Sequence, residues 1–199
     1  ATEKGHQSMV WDLPGLQGKP IGDFNYWLWN WTWNGKEGLG IGYRTKSEER
    51  GVRLYGTPDF TPRVADLKID GYPNESQIRF KKDGTAIALL RRDPDAGLRG
   101  ESQKPYTDWK WTTLDARIGG PNFVILPDGR EIAVVRLYDG KTRTSVCEIR
   151  DGKVREILAL PSSGDSSYAG MVVEKKILWV SYYSSHEGKT SIYLARLQL

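Results

Sequence analysis

Four side chains in this sequence could act together on a carboxylated substrate. Glu75 follows Asn74 in a PNES segment, Arg91 and Arg136 each end an apolar run, and Tyr168 follows a GDSS segment. Two arginines can hold one carboxylate through paired, charge-assisted hydrogen bonds. A glutamate beside a tyrosine can withdraw the phenolic proton and make the oxygen a nucleophile. The residue types therefore predict a nucleophile, its base and a carboxylate clamp, provided that the fold brings them together.

The spacing of the two arginines belongs to an internal repeat. Residues 77–92 read QIRFKKDGTAIALLRR and residues 122–137 read NFVILPDGREIAVVRL. The aspartates of their Asp-Gly pairs (83 and 128) and the arginines after them (91 and 136) differ by the same 45 positions. A repeat of this length, made of short strands and tight turns, is typical of a β-propeller blade. Because equivalent positions of successive blades surround one mouth, we expect Arg91 and Arg136 to converge there.

The elements that would position these residues are strands. Short apolar bursts alternate with turn residues about every eight to twelve positions, which is all-β spacing. Predicted hairpins lie at the Asn-Gly or Asp-Gly pairs 34–35, 83–84, 128–129, 139–140 and 151–152. Four units follow, over residues 26 to about 70, 71–119, 120 to about 163, and 164–199. The last has three strands, and a leftover strand around Gln7–Leu13 is expected to complete it and close the ring.

We therefore predict an all-β fold, a β-propeller with about four recognisable four-stranded blades, in a single domain over residues 1–199. Two arrangements stay open at this point. Four blades could close a small ring, since propellers have four to eight blades. Alternatively, the chain is part of a larger ring whose other blades belong on its N-terminal side.

Composition narrows the class of protein. The 199 residues are 38% hydrophobic and 27% charged, with no apolar run near the ~20 residues that span a bilayer, so no membrane partner is expected. The net charge of +4 comes from interspersed charges, which argues against nucleic acid. The only cysteine, Cys147, excludes an internal disulfide and is expected in the core. The first residues do not read as a signal peptide, and a mature secreted or periplasmic protein would look the same after cleavage.

The chain resembles the C-terminal two-thirds of a bacterial exo-α-sialidase-like protein, a BNR-repeat propeller of the sialidase superfamily. The resemblance covers most of residues 26–199 and implies a relation to the six-bladed sialidase fold. It also implies a carbohydrate partner, the terminal acidic sugar of a glycan. The matching segments are PNESQIRFKKDGTAIALLRR, SQKPYTDWKW, GGPNFVILPDGR, VVRLYD, LPSSGDSSYAG and LWVSYYSSHEGKTSIYLARL.

The resemblance assigns roles to individual residues. Tyr168 corresponds to the nucleophile, and Glu75 of the Asn74-Glu75 dipeptide corresponds to the base that activates it. Arg91, or its neighbour Arg92, and Arg136 correspond to two arginines of a carboxylate-binding triad. No cofactor and no metal are implied, and the two histidines of the chain are too isolated to form a metal site.

The departures from the family pattern leave two functions open. The first triad arginine and the aspartate acid/base have no counterpart, because Ala1–Lys19 is too short to hold them. Strict Asp-boxes are missing, and Asn30 stands where the family has arginine. The chain is then a sialidase-like glycoside hydrolase, or part of one, or it is a non-catalytic glycan-binding or scaffold propeller. A homo-oligomer or an N-terminal partner would complete the ring in the first case.

Aromatic and acidic residues near these motifs have simpler interpretations. Trp27, Trp29, Trp31 and Trp33 alternate, so a regular strand would carry all four on one face. Packing between blades is favoured over a sugar-stacking platform, with Trp27 or Trp29, nearest the blade start, as the expected exception. Asp93, in a DPD segment, is expected to lie in a solvated loop.

Overall fold

The computed structural model describes residues 5–12, 15–45 and 50–199. These residues form an N-terminal β-hairpin and four antiparallel sheets that follow one another along the chain, which we number as blades 1 to 4. Blade 1 contains β3 (Tyr26–Leu28), β4 (Thr32–Asn34), β5 (Glu37–Arg44), β6 (Val52–Gly56) and β7 (Thr61–Val64). Blade 2 contains β8 (Tyr72–Phe80), β9 (Ala86–Asp93), β10 (Leu98–Ser102) and β11 (Lys110–Thr113). Blade 3 contains β12 (Ile118–Ile125), β13 (Glu131–Leu137), β14 (Arg143–Arg150) and β15 (Lys153–Ala159), and blade 4 contains β16 (Ser167–Glu174), β17 (Ile177–Ser184) and β18 (Ser191–Gln198).

The predicted all-β propeller with about four blades is confirmed. Strands pair in chain order within each blade, and the first strands of successive blades contact one another, which makes them innermost. The part of the chain that the structure describes holds no helix long and apolar enough to cross a lipid bilayer.

Apolar clusters between neighbouring blades form the core. In β9, Ala88 and Leu90 face blade 1, whereas Ile87 and Leu89 face blade 3, and all four are fully buried. Burial on both faces explains why AIALL is a continuous apolar run instead of an alternating one. Cys147 is buried in the cluster between blades 2 and 3, as expected. Ile132 and Val134 of blade 3 meet Leu178 and Val180 of blade 4 in the third cluster.

The two Asp-Gly turns of the repeat have the same hydrogen bonds. Asp83 Oδ1 accepts the N–H of Thr85 at 2.9 Å, and Asp128 Oδ1 accepts that of Arg130 at 3.1 Å. Both glycines have a positive φ, +88° at Gly84 and +89° at Gly129, which side chains disfavour. The five predicted hairpin turns all connect paired strands.

The N-terminal strand does not complete blade 4, so this prediction was wrong. The strand β1 (Ser8–Asp12) pairs with β2 (Gln17–Ile21) in a separate hairpin, and residue 13 of the predicted strand lies outside the described residues. Val10 and Ile21 pack into a cluster with Leu28 and Tyr55 of blade 1. The hairpin packs on blade 1 through Val10 and Ile21, whereas its Met9, Trp11 and Leu16 are exposed. Among the described residues, β18 is therefore the outer strand of blade 4.

Candidate functional site

The innermost strand of every blade carries a one-residue β-bulge near its start. Residues 74–75 stand opposite position 91 alone, 120–121 opposite 135, and 168–169 opposite 182. In blade 1 residues 29–31 stand opposite 40–41, between β3 and β4. Bulges re-aim side chains and are common beside active sites. The four bulges surround the propeller mouth and carry Glu75, Tyr168 and Trp29.

Glu75 lies between Tyr168 and Arg91. The phenolic hydroxyl of Tyr168 donates a hydrogen bond of 2.7 Å to Oε1, and Nη1 of Arg91 donates one of 2.8 Å to Oε2. The bulge places Glu75 beside Arg91 within blade 2, whereas Tyr168 reaches the carboxylate from blade 4, 93 residues away. Glu75 is 7% exposed and Tyr168 is 37% exposed, so the tyrosine is accessible to solvent and the glutamate is buried behind it.

Ring packing holds Tyr168 in this position in spite of a strained backbone. Ser167 and Tyr168 have φ values of +105° and +45°, which few residues other than glycine adopt. Such strain at a site persists only where the surroundings enforce it. The phenol ring stacks on Tyr183 at 5.9 Å between centroids and contacts Trp29 at 5.2 Å. Gly120 leaves room for it, because a Cβ there would lie 3.0 Å from Tyr168 Cδ1.

Arg136 reaches the same tyrosine from blade 3. Its Nε donates to the carbonyl of Ser166 at 2.7 Å, and its Nη2 donates to Asp165 Oδ1 at 2.8 Å. The guanidinium lies 5.6 Å from the centre of the Tyr168 ring. Arg136 is 9% exposed, but the side chain of Asp165 is 75% exposed. The present carboxylate partner of Arg136 is therefore open to exchange.

Asp93 and Asn74 support Arg91 and Glu75 from behind. Asp93 Oδ2 lies 2.8 Å from Arg91 Nε, an ion pair without hydrogen-bond geometry, and it accepts a hydrogen bond of 3.0 Å from Asn74 Nδ2. Asn74 Oδ1 accepts the backbone N–H of Glu75 at 2.8 Å, and Arg117 binds Asp93 Oδ1. The expectation of a solvated Asp93 was wrong, because three cationic or amide side chains converge on it. Asn74, predicted to bind substrate, is 6% exposed and orients the bulge.

Arg92 points away from the site. Its Nη1 pairs with the exposed Asp70 at 2.7 Å, and its Nε donates to the carbonyl of Ala96. Successive strand residues face opposite sides of a sheet, so only one of two adjacent arginines can reach the mouth. Arg91 is the one that does, and the alternative assignment to Arg92 was wrong.

Two of the four alternating tryptophans line a pocket beside Tyr168. The pocket has a volume of about 200 Å³ and is lined by Trp27, Trp29, Asn30, Gly120, Pro121, Asn122, Tyr168 and Ala169. Trp27 is 48% exposed and stacks on Tyr43 at 6.1 Å. Trp27 thus matches the expected exception to packing between blades, whereas Trp29 packs against the core between blades 1 and 2 and Trp33 is 56% exposed. Contact of Trp27 and Trp29 with a sugar stays a prediction.

The prediction that all four tryptophans share one face was wrong. Trp27 and Trp29 lie on the side of Tyr43, which faces blade 2, whereas Trp31 packs on Phe60 on the other side of the sheet. Trp33 is paired with Gly38 on that second side. The bulge at 29–31 inserts one extra residue, and a shift of one residue exchanges the two faces of a strand.

The electrostatics keep the tyrosine neutral at rest. Burial, then the hydrogen bond to Glu75 and its negative charge, raise the pKa of Tyr168, and Arg91 and Arg136 oppose this only in part. Burial and the charge of Glu75 also raise the pKa of Tyr43. Burial and the neighbouring Asp165 raise the pKa of Tyr183 to about 12. Glu75 can therefore accept the Tyr168 proton during a reaction, but no phenolate is formed in advance.

Sequence reasoning missed Asp93, Asp165, Tyr183 and Tyr43. Asp165 precedes Tyr168 by three residues, and Asp93 follows Arg91 by two, so both lay within segments already singled out. The proximity of Asp93 to Arg91 was an available signal, whereas Asp165 has no arginine near it in the sequence. Within the described residues, no three His, Cys, Asp or Glu side chains are grouped to hold a metal ion.

Comparison with known proteins identifies the fold and no family. No protein-family model matches the sequence, and no curated protein matches it either. A protein of unknown function from Dyadobacter fermentans matches with a TM-score of 0.66 and 20% identity, over 84% of this chain and 52% of that one. An endo-1,4-β-xylanase from Bacteroides thetaiotaomicron matches with a TM-score of 0.65 and 9% identity, over 88% and 70%. A thermostable family-43 glycoside hydrolase matches with a TM-score of 0.59 and 11% identity, over 96% and 72%.

The fold is a β-propeller. This chain spans about half the length of the Dyadobacter protein and about seven-tenths of the two enzymes. At identities of 20% or less the likeness concerns architecture alone. The two enzymes are described as an endo-1,4-β-xylanase and as a family-43 glycoside hydrolase, and neither is described as a sialidase. The propeller part of the resemblance is thus confirmed, whereas the sialidase part stays a prediction.

Proposed function

We propose that this propeller acts on terminal acidic sugars as a sialidase-like glycoside hydrolase, or as part of one, with Tyr168 as the nucleophile and Glu75 as its base. The observation that carries the proposal is the 2.7 Å hydrogen bond from the Tyr168 hydroxyl to Glu75, held by a strained backbone at the mouth of the propeller. Two structural neighbours are named as glycoside hydrolases, which supports a carbohydrate ligand.

In the proposed step the phenolic oxygen of Tyr168 attacks the anomeric carbon. The new C–O bond forms as the bond to the leaving group breaks, and the phenolic proton passes to Glu75 Oε1. A neutral tyrosine suits a sugar whose reacting carbon bears a carboxylate, because an anionic nucleophile would be repelled. An aryl glycoside releases a stable phenolate. Its leaving oxygen therefore does not need a proton from a general acid of the protein.

Arg136 is the proposed carboxylate ligand of the sugar. A substrate carboxylate would replace Asp165, whose side chain is 75% exposed, so that its ion pair with the buried Arg136 contributes on the order of 1 kcal/mol. Arg91 is less available, since Glu75 and Asp93 already flank it. In this proposal Arg91 orients Glu75 through their hydrogen bond, and its positive charge contributes to the field that attracts the anion. Trp27 and Trp29 offer ring faces to the sugar.

The decisive experiment is to trap the covalent intermediate. The protein would be incubated with 4-methylumbelliferyl α-sialoside, the corresponding glucuronide and the neutral β-xyloside, with release of fluorophore and the intact mass as readouts. We expect turnover and a glycosyl adduct on Tyr168 with a carboxylated sugar only. Tyr168→Phe should abolish the adduct, and Glu75→Gln should slow its formation by at least about a hundredfold.

Arg92→Leu is the matched control, because this arginine adjoins Arg91 but faces away from the site. It should leave turnover unchanged, whereas Arg136→Leu should abolish it. Turnover of the xyloside in preference to the two acidic glycosides would contradict the proposed substrate class. An adduct on a residue other than Tyr168 would contradict the assigned nucleophile.

The second candidate is a non-catalytic glycan-binding or scaffold propeller. It is favoured by the pairing of Arg91 with Glu75 and Asp93, and by the raised pKa of Tyr168, since both suit a resting network of hydrogen bonds. In that case the acidic sugar would bind, as detected by saturation-transfer NMR, and neither fluorophore release nor an adduct would follow. Tyr168→Phe would then weaken binding only slightly.

A further inference from the structure

A polar network joins the innermost strands of the propeller beside the candidate site. Its centre is Arg79 of β8, whose guanidinium reaches blades 1 and 3 from blade 2. Nη1 donates to Thr32 Oγ1 at 3.2 Å and to the carbonyl of Ile78 at 3.0 Å. Nε donates to the carbonyl of Phe123 at 2.8 Å, and Nη2 donates to Asn122 Oδ1 at 2.8 Å. One side chain thus connects the innermost strands of three blades.

Arg79 is a cation without an anionic partner in the described part of the chain. Every hydrogen bond that its guanidinium makes there ends on a neutral oxygen atom. Burial lowers the pKa of this guanidinium. A charge that is removed from water without a partner is unfavourable. A carboxylate introduced next to Arg79 would therefore strengthen this network.

Asn122 extends the network to blade 4. Its Oδ1 accepts the backbone N–H of Phe123 at 2.8 Å as well as the N–H of Arg79. Both hydrogen bonds require the amide oxygen, so the amide nitrogen is the atom that faces blade 4. Nδ2 donates to the carbonyl of Ala169 at 2.6 Å. Arg79 thus fixes the orientation of the Asn122 amide, and the amide binds the Ala169 carbonyl.

Ala169 and Tyr168 are the two residues of the bulge in β16. A bulge disrupts the ladder and leaves its extra residue unpaired, and the positive φ of Ser167 and Tyr168 adds strain. The hydroxyl of Ser167 is buried and has no hydrogen-bond partner among the described residues, so it does not stabilise the bulge. The hydrogen bond from Asn122 supplies a fixed partner for this backbone, one residue after Tyr168.

We propose that Asn122 is a positioning residue for Tyr168, and that Arg79 fixes the orientation of Asn122. As far as catalysis is concerned, the inference rests on the proposed function. The hydrogen bond to Ala169 holds the bulge where the Tyr168 hydroxyl meets Glu75. Asn122 acts through the backbone and exchanges no proton with the substrate. Loss of its N–H donor should therefore lower kcat and leave KM nearly unchanged.

Asn122→Asp tests the role of the donor, because it keeps the shape of the side chain and replaces the amide nitrogen by an acceptor. The new carboxylate lies within ion-pair distance of Arg79 and repels the carbonyl of Ala169. We expect a melting temperature at or above that of the wild-type protein and a fall in kcat of at least about tenfold in the fluorogenic assay. A lower melting temperature would contradict the pairing with Arg79, and an unchanged kcat would contradict the positioning.

Thr32→Val is the matched control. It removes an acceptor of Arg79 on the blade 1 side of the same network and leaves the hydrogen bond between Asn122 and Ala169 in place. It should lower the melting temperature, because Arg79 loses a partner, and it should not change kcat. An equal fall in kcat in both variants would show that the network is only structural. Because Asn122 lines the pocket beside Tyr168, a raised KM at unchanged kcat in Asn122→Asp would make it a ligand contact instead.

A crystal structure of Asn122→Asp separates this proposal from the proposed function. We expect the Tyr168 hydroxyl to lie beyond hydrogen-bond distance of Glu75 in the variant, whether or not the wild-type protein turns over a glycoside. A wild-type protein without turnover would overturn the proposed function alone. A Tyr168 hydroxyl that remains on Glu75 in the variant would overturn the positioning by Asn122, even in an active enzyme.

Discussion

At the scale of residues, one carboxylate organises the candidate site. One oxygen of Glu75 accepts a hydrogen bond from the Tyr168 hydroxyl and the other accepts one from Arg91, so replacement of this carboxylate would disturb both contacts. Arg136 approaches the same tyrosine but pairs with a different acid, Asp165. The two arginines therefore differ in their surroundings: Arg91 pairs with the carboxylate that accepts the Tyr168 hydroxyl, and Arg136 pairs with the exposed Asp165.

Asp165→Asn should strengthen the binding of an acidic sugar, if a ligand carboxylate replaces Asp165 on Arg136. An exposed ion pair contributes about 0.2–1 kcal/mol, so the dissociation constant should fall by up to about fivefold. Isothermal titration with sialic acid would measure it. Asp70→Asn is the control, because Asp70 is an exposed partner of Arg92 outside the site. Equal or weaker binding by Asp165→Asn would show that the acid positions Arg136 instead of competing for it.

At the scale of elements, the recurring bulge decides what the strands can present. Without the extra residue at 74–75, Glu75 would lie on the opposite side of β8, away from Tyr168. Hydrophobic alternation in the sequence predicts strands, and it does not indicate where one residue is inserted. The tryptophans at 27–33 illustrate this, because their perfect alternation predicts one face and the bulge divides them between two.

Gly120→Ala should displace Tyr168 from Glu75. The added Cβ would lie 3.0 Å from the tyrosine ring, and the φ of +50° is itself unfavourable for alanine. Gly140→Ala is the matched control, since Gly140 has a φ of +73° and nothing within 4 Å of a Cβ. Both variants should lose about 1 kcal/mol of unfolding free energy from the backbone. Only Gly120→Ala should also lose the proposed activity, in the fluorogenic assay.

At the scale of the whole molecule, the buried tyrosines link stability to pH. Burial and nearby carboxylates raise the pKa of Tyr43, Tyr55 and Tyr168 above the usual 10. Above pH 10 the unfolded chain therefore loses protons that the folded chain keeps, and stability falls as the pH rises. Below that pH their contribution is fully present.

Urea unfolding at pH 8 and above pH 10 would measure this dependence. Tyr168→Phe should reduce the alkaline loss of stability, because it removes one of the tyrosines with a raised pKa. Tyr193→Phe, at the surface, should reduce the loss by less, because partial burial and the hydrogen bond to the exposed Glu187 raise the pKa of Tyr193 less than the pKa of Tyr168 is raised. An alkaline slope unchanged by Tyr168→Phe would contradict the buried environment assigned to this phenol.

Much of the architecture is predictable from the sequence because it repeats. The Asp-Gly turns and the offset of 45 identify blades 2 and 3, and their turns have the same hydrogen bonds. The position of the N-terminal hairpin is not predictable in this way, since QSMVWDL is compatible with either blade 4 or blade 1. The packing of Val10 and Ile21 onto Tyr55 decides between them, and that contact is tertiary.

The candidate site is predictable only in part, for a related reason. Glu75, Arg91, Arg136 and Tyr168 could be chosen because their chemistry is distinctive and their order matched a known pattern. Asp93 and Asp165 are ordinary loop acids by sequence, and they become important through the arginines that the fold directs at them. Residues that meet across two blades are far apart in the sequence, so a local sequence pattern does not reveal their contact.

The 93 residues between Glu75 and Tyr168 carry a consequence for how the protein matures. A chain that has assembled its second blade alone holds the carboxylate and the arginine but lacks the phenol, which arrives only when the fourth blade docks. Closing so long a loop is among the slower events of folding. The contacts of Tyr168 with Glu75 and Trp29 therefore require blade 4 to lie against blades 1 and 2.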